Sequence, residues 1–309
     1  MRARPYTLSC FLIFAATLFA QPPQGGAGSD PAADLLRQGR QKISEGKQDE
    51  ALALYKSAAE KFPASVQANS QTGVLLDLMG HYAEAKKYFA KAIEAAATPQ
   101  AKSQAMRSMA MSYAFEGDCK NAVKYEAPLY EQSLAAKDYF SAGETANEVA
   151  RVCIDSGSLD EALNWYTKGH DAGMNETDPT QKDLWNFRWE HALARIAARR
   201  GNKAEAQKHV DAAKAILDKG SIASSQAQFF PYLTGYVAFY GGDYKTALAE
   251  LQKANQNDAF IQVLIAQTYE KLGDKSKAME YYKKVLSFNG HNPPAAVARP
   301  LAQKKLGAG

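Results

Sequence analysis

The chain has 309 residues, of which 46% are apolar, 23% charged and 10% aromatic, and 37 basic against 33 acidic residues leave a formal charge of +4. Those fractions exclude wholesale disorder and a polytopic membrane protein. The near-balanced charge gives no electrostatic basis for nucleic-acid binding, and three cysteines are too few for a disulfide scaffold.

Arg2 and Arg4 precede an apolar run from Leu8 to Ala20, which gives way abruptly to a polar stretch from Gln21 to Asp30. A basic head, a short apolar run and a small residue at its end predict an export signal over residues 1–20, with the mature chain beginning near Gln21. The alternative is an uncleaved anchor, although a helix of that length covers only about two-thirds of a hydrocarbon core. Residues 21–31 read as a flexible linker. No other long apolar run follows, so no membrane span is expected in the mature chain. Removing the signal leaves Cys119 and Cys153 in a chain bound for the periplasm or the exterior. A disulfide between them is one reading, and two buried, inert thiols are the other.

Beyond residue 30, apolar side chains recur at intervals of three and four among Ala, Leu, Lys, Glu and Gln, the amphipathic-helix pattern. The chain also repeats. Gly46, Gly80, Gly117, Gly157, Gly201, Gly242 and Gly273 are each followed five residues later by alanine, at glycine spacings of 34, 37, 40, 44, 41 and 31. A glycine there ends one helix in a left-handed conformation. The alanine, one turn into the next helix, lets the two approach closely.

This unit resembles the tetratricopeptide repeat. With each turn glycine at position 15, the small residue of position 8 is Gly39, Gly73, Ala110, Ala150, Ala194, Gly235 and Ala266. The aromatic of position 24 is Tyr55, Phe89, Tyr166 and Tyr282, whereas Glu126 stands there in the third unit. The resemblance implies an all-α, right-handed α-α superhelix of about seven helix pairs over residues 32–292. Units would start near 32, 66, 103, 143, 187, 228 and 259, with surplus length in units three to six assigned to second helices or loops. Residues 293–309 would form a polar capping helix and tail, kinked or shortened at Pro300. The polar stretch Asp171–Pro179 reads as a solvated loop or, less simply, as a hinge.

No enzyme signature accompanies the repeats. The five histidines show no HExxH spacing or short cluster, and phosphate-loop, GxGxxG and GxSxG motifs are absent from the sequence. No catalytic residue, metal or cofactor is therefore expected. Asp49-Glu50 and Asp160-Glu161, just after turn glycines, favour the positive end of the second helix.

In this family the first helices of successive pairs line a concave face, and the resemblance carries that role to particular positions here. Arg151, Arg188, Arg195, Arg199, Phe229, Tyr232, Tyr236 and Tyr240 then form the candidate binding surface. Guanidinium groups take carboxylates in paired hydrogen bonds, and tyrosine joins apolar area to a polar tip. The opposing reading is that the aromatics pack against the next unit and the arginines are solvated. Function follows by analogy with the fold: a non-enzymatic scaffold of the cell envelope that holds protein or peptide segments, acidic and aromatic in character, in its groove. The alternative is a structural or assembly subunit that uses its convex face or ends; an enzyme with an unrecognised site is a third.

Overall fold

In the computed structural model, which describes residues 30–307, the turn glycines set the architecture. All seven have positive φ, from 70° at Gly117 to 89° at Gly80, a region that side chains with a Cβ occupy only at a cost. The seven alanines five residues further on are all at most 2% exposed. Chain reversal and close helix contact thus come from one short motif. The seven pairs are α1 (Ala33–Ser44) with α2 (Gln48–Lys61), α3 (Val66–Met79) with α4 (Tyr82–Ala95), and α5 (Pro99–Phe115) with α6 (Cys119–Ala135). They continue with α7 (Tyr139–Asp155) and α8 (Leu159–Gly173), α9 (Pro179–Arg199) and α10 (Lys203–Asp218), α11 (Phe230–Gly241) and α12 (Tyr244–Leu251), and α13 (Ala259–Leu272) and α14 (Lys275–Leu286). A last helix, α15, spans Pro293–Leu306, and a 3-10 turn over Ser224–Phe229 precedes α11. The export signal expected over residues 1–20 lies outside the described residues.

In units one and two, the glycine at position 8 faces the ring at position 24. A Cβ placed on Gly39 would lie 2.1 Å from Tyr55, and one on Gly73 would lie 2.7 Å from Phe89. Each pair stacks on the next chiefly through its second helix, which packs against the first helix of the following pair, so the core runs along the chain from unit to unit. Second helices start at caps adjoining the turn glycine: Asp118, Asn202, Asp243 and Asp274 each accept a backbone N–H from the first turn.

Three features differ from the sequence reading. Much of the surplus length lies in first helices: α5 and α7 have 17 residues and α9 has 21, beginning four, four and eight residues before the expected starts. Thr98, Asp138 and Asp178 cap these starts, and Pro99 and Pro179 occupy first-turn positions where a missing N–H costs nothing. The loop read at Asp171–Pro179 is shorter than expected, residues 174–178, because α8 runs on to Gly173 and α9 begins at Pro179.

The third difference concerns α15, which is not a polar cap. It runs through Pro300 without a break, and Ala295, Ala296, Ala298, Arg299 and Ala302 are each at most 4% exposed. It packs on α13 and α14 of its own end, and on α5 and α7 far away in sequence. Ala295 and Ala296 join a cluster with Met111, Phe115 and Val152. The Arg299 guanidinium donates to the carbonyls of Leu78, Leu286 and Phe288. His291, just before α15, meets the buried Asp77 carboxylate at 2.8 Å, and Ser112 donates to that same carboxylate at 2.8 Å. Since α5, α7 and α13 are all first helices, α15 occupies the inner face of the superhelix and ties unit seven to units two to four.

Candidate binding site on the inner face

Helical spacing brings the inner-face residues of units four to six together. Arg151 and Asp155 lie one turn apart on α7, as do Arg195 and Arg199 on α9, while Tyr232, Tyr236 and Tyr240 form a stripe along α11. Arg195 Nη2 donates to the Tyr166 hydroxyl at 2.8 Å, and its Nε donates to the His191 carbonyl at 3.3 Å. Arg199 Nη1 reaches the Tyr240 hydroxyl at 3.4 Å and stands 3.9 Å from Asp155 Oδ1. Arg151 lies over two rings, its Cζ 5.4 Å from the centre of Phe260 and 6.0 Å from that of Tyr232. The tyrosine rings meet edge-on or tilted, with 4.6 Å between the ring centres of Tyr236 and Tyr240.

Burial dominates the electrostatics. It pushes the Asp155 carboxyl up to about 6, against the pull of Arg151, Arg195 and Arg199. Burial raises the Tyr232 hydroxyl to about 12 and lifts Tyr236 well above its ordinary value. The His191 imidazole is held well below its usual range by burial and by the neighbouring Arg195. It is therefore neutral at physiological pH.

The structure places the expected surface residues unequally. Tyr236, Tyr232 and Arg195 are buried, at 0%, 7% and 7% exposure, so their polar tips face neighbouring units. Arg151, Arg199 and Tyr240 are half-buried and border the solvent. Arg188 is set apart, paired with Glu144 and lying 4.7 Å over the Trp185 ring. Phe229 ends the 3-10 turn and is exposed, outside α11. The sequence reading missed Asp155, Tyr166 and Phe260. Asp155 carried one signal, its i+4 spacing from Arg151, and Tyr166 another, its position 24.

A second polar group is buried in unit three. Glu126 takes the place of the position-24 ring, is 2% exposed, and neither of its carboxyl oxygens has a hydrogen-bond partner. Burial and the neighbouring Glu148 carboxyl push its pKa well above the ordinary value. A carboxyl whose folded pKa exceeds its unfolded one contributes fully below the unfolded value and loses that contribution as pH rises through the folded value. Glu126→Leu is therefore expected to stabilise the fold at pH 7 by about 1–3 kcal/mol. The gain should shrink as the pH approaches the ordinary glutamate value of 4.5. Urea unfolding of both chains across that range checks it; a gain that does not depend on pH would assign the effect to packing alone.

Cys119 and Cys153 are joined in a disulfide with a Cα separation of 4.9 Å, linking the start of α6 to α7. Among the described residues, no helix is long and apolar enough to cross a membrane, and no group of three or more His, Cys, Asp or Glu side chains could hold a metal ion.

Comparison with known proteins agrees with this geometry. Sequence profiles described as the tetratricopeptide repeat match residues 35–65, 66–99 and 261–292, so the chain carries tetratricopeptide repeats in its first two units and its seventh. No curated protein matches the sequence. Among solved structures, a tetratricopeptide repeat protein from Parabacteroides merdae shares 15% identity, with 84% of this chain and 94% of that one aligned and a TM-score of 0.51. The apo form of RapI shares 10% identity, covering 90% of this chain and 99% of that one at a TM-score of 0.55. Aspartyl phosphate phosphatase F from Bacillus subtilis shares 12%, covering 82% and 69% at 0.56. At these identities the likeness is one of fold. Proteins built of this repeat generally serve as protein-binding scaffolds without enzymatic activity.

Proposed function

We propose that the chain is a non-enzymatic scaffold of the cell envelope that holds a segment of a protein partner against the inner wall of units four to six. One observation carries the reading: Arg151, Arg199 and Tyr240, on the first helices of units four, five and six, border the solvent together. The disulfide supports an oxidising compartment, and the basic and apolar segment at residues 2–20 supports export. Arginine and tyrosine are the side chains that most often dominate protein interfaces.

Arg199→Ala and Tyr240→Ala, made singly, test the reading without opening the core as Tyr236 or Arg195 substitutions would. Each should leave thermal unfolding near that of the wild type. Crosslinked capture from envelope extract should identify the partner, and its affinity should fall about thirtyfold, or about 2 kcal/mol, in the variants. A second reading, contact through the convex face or the ends, is favoured by the presence of α15 in the groove. Wild-type binding by both variants would select it.

A further inference from the structure

Guanidinium groups outnumber their acceptors inside units four to six. Arg151 makes no hydrogen bond or ion pair among the described residues; it rests on the Phe260 and Tyr232 rings, and its Nε is sealed from solvent without a partner. Arg195 is satisfied only by neutral oxygens, the His191 carbonyl and the Tyr166 hydroxyl. Arg199 bonds a hydroxyl and stands beyond hydrogen-bond distance of Asp155. The Tyr236 hydroxyl, in the same wall, is buried beside Arg199 and Tyr240 but makes no hydrogen bond of good geometry. The remaining nearby carboxylate, Asp258, already accepts the N–H groups of Phe260 and Ile261 as the cap of α13.

Buried charge is ordinarily paired, because removing a cation from water is costly without a counter-charge and acceptors. Three guanidiniums here share one weakly engaged carboxylate. One of the three, Arg151, has its Nε sealed in without an acceptor, and the buried Tyr236 hydroxyl lacks a well-aligned one. We propose that the inner wall formed by α7, α9 and α11 is an anion-binding site, which takes a carboxylate or phosphate group between Arg151 and Arg199. The inference rests on the reading of this wall as the contact surface and names the chemistry it recognises. Planar guanidinium forks favour groups with at least two acceptor oxygens, and Asp155 competes for the same cations.

The test uses the full chain with its disulfide intact. Inorganic phosphate, malonate and a terminally blocked peptide of alternating glutamate and tyrosine are titrated by calorimetry, each against sodium chloride at equal ionic strength. Saturable binding of phosphate or malonate points to a free anion, and binding of the peptide alone points to a carboxylate borne by a partner; either supports the site. Arg151→Ala and Arg199→Ala should each weaken binding at least tenfold, while Asp155→Asn, which retains shape and removes the competing charge, should tighten it. Should the arginine variants not fold, the Asp155→Asn result decides. Chloride-like behaviour of all three probes overturns the proposal, as does unchanged or weaker binding by Asp155→Asn. Loss of partner capture in Arg199→Ala, with no anion bound by the wild type, would remove the anion site and leave the contact surface standing. Anion binding without any effect on capture would do the reverse.

Discussion

Replacing Arg299 by alanine is expected to cost the folded state about 3 kcal/mol or more. The side chain is 4% exposed, and burial holds its pKa below the ordinary value. Its hydrogen bonds go to three backbone carbonyls, at Leu78, Leu286 and Phe288. Hydrogen bonds from charged donors contribute about 1.5–3 kcal/mol each, not additively, and truncation removes the side-chain donor of the Leu286 and Phe288 carbonyls and leaves Leu78 only the Gln303 amide at 3.3 Å. Arg299→Lys should recover little, because one ammonium cannot reach both sides of α15 as the planar fork does. Denaturant unfolding measures both variants. A midpoint equal to that of the wild type would show that α15 does not hold unit seven to units two to four.

Breaking the disulfide is the other large expected effect. The bridge closes a 34-residue separation between α6 and α7, and loop-closure entropy assigns such a cross-link about 3–4 kcal/mol. The Cys119→Ala, Cys153→Ala double variant should lose that amount in urea unfolding. Protein purified without reductant should show no free thiol at either position by mass spectrometry. Both cysteines are at most 5% exposed, so reduction of the native protein should be slow and follow local opening. Two free thiols, or a double variant as stable as the wild type, would contradict this.

Local features of the fold were plain in the sequence, because each repeat writes its own geometry. The Gly-x4-Ala motif marked the seven turns within pairs, and in the first two units the glycine at position 8 announced a ring at position 24, as Gly39 and Tyr55 show at 2.1 Å. Counting from the turn glycine also brought Arg151, Arg195, Arg199 and the α11 tyrosines to one face. Two things were hidden. The early starts of α5, α7 and α9 depend on caps such as Thr98 and Asp178, whose signal is short and easily read as loop. The position of α15 depends on the accumulated rotation of seven units, and the depth of Tyr236 on how Phe260 of α13 packs against α11. No local pattern encodes that sum.

A linear array in which each unit touches only its neighbours folds and frays piecemeal. Contacts between Arg299 and Leu78, or His291 and Asp77, span more than two hundred residues and turn the array into a closed circuit. Closing so long a loop is slow, and the segment that closes it is synthesised after all the units it joins. A chain emerging from its amino end would therefore stack its early units with their inner face uncovered, exposing Met111, Phe115 and Val152 until residues 291–306 arrive. The uncovered interval is the stage at which association between incomplete chains, or protection by a chaperone, would act on this protein.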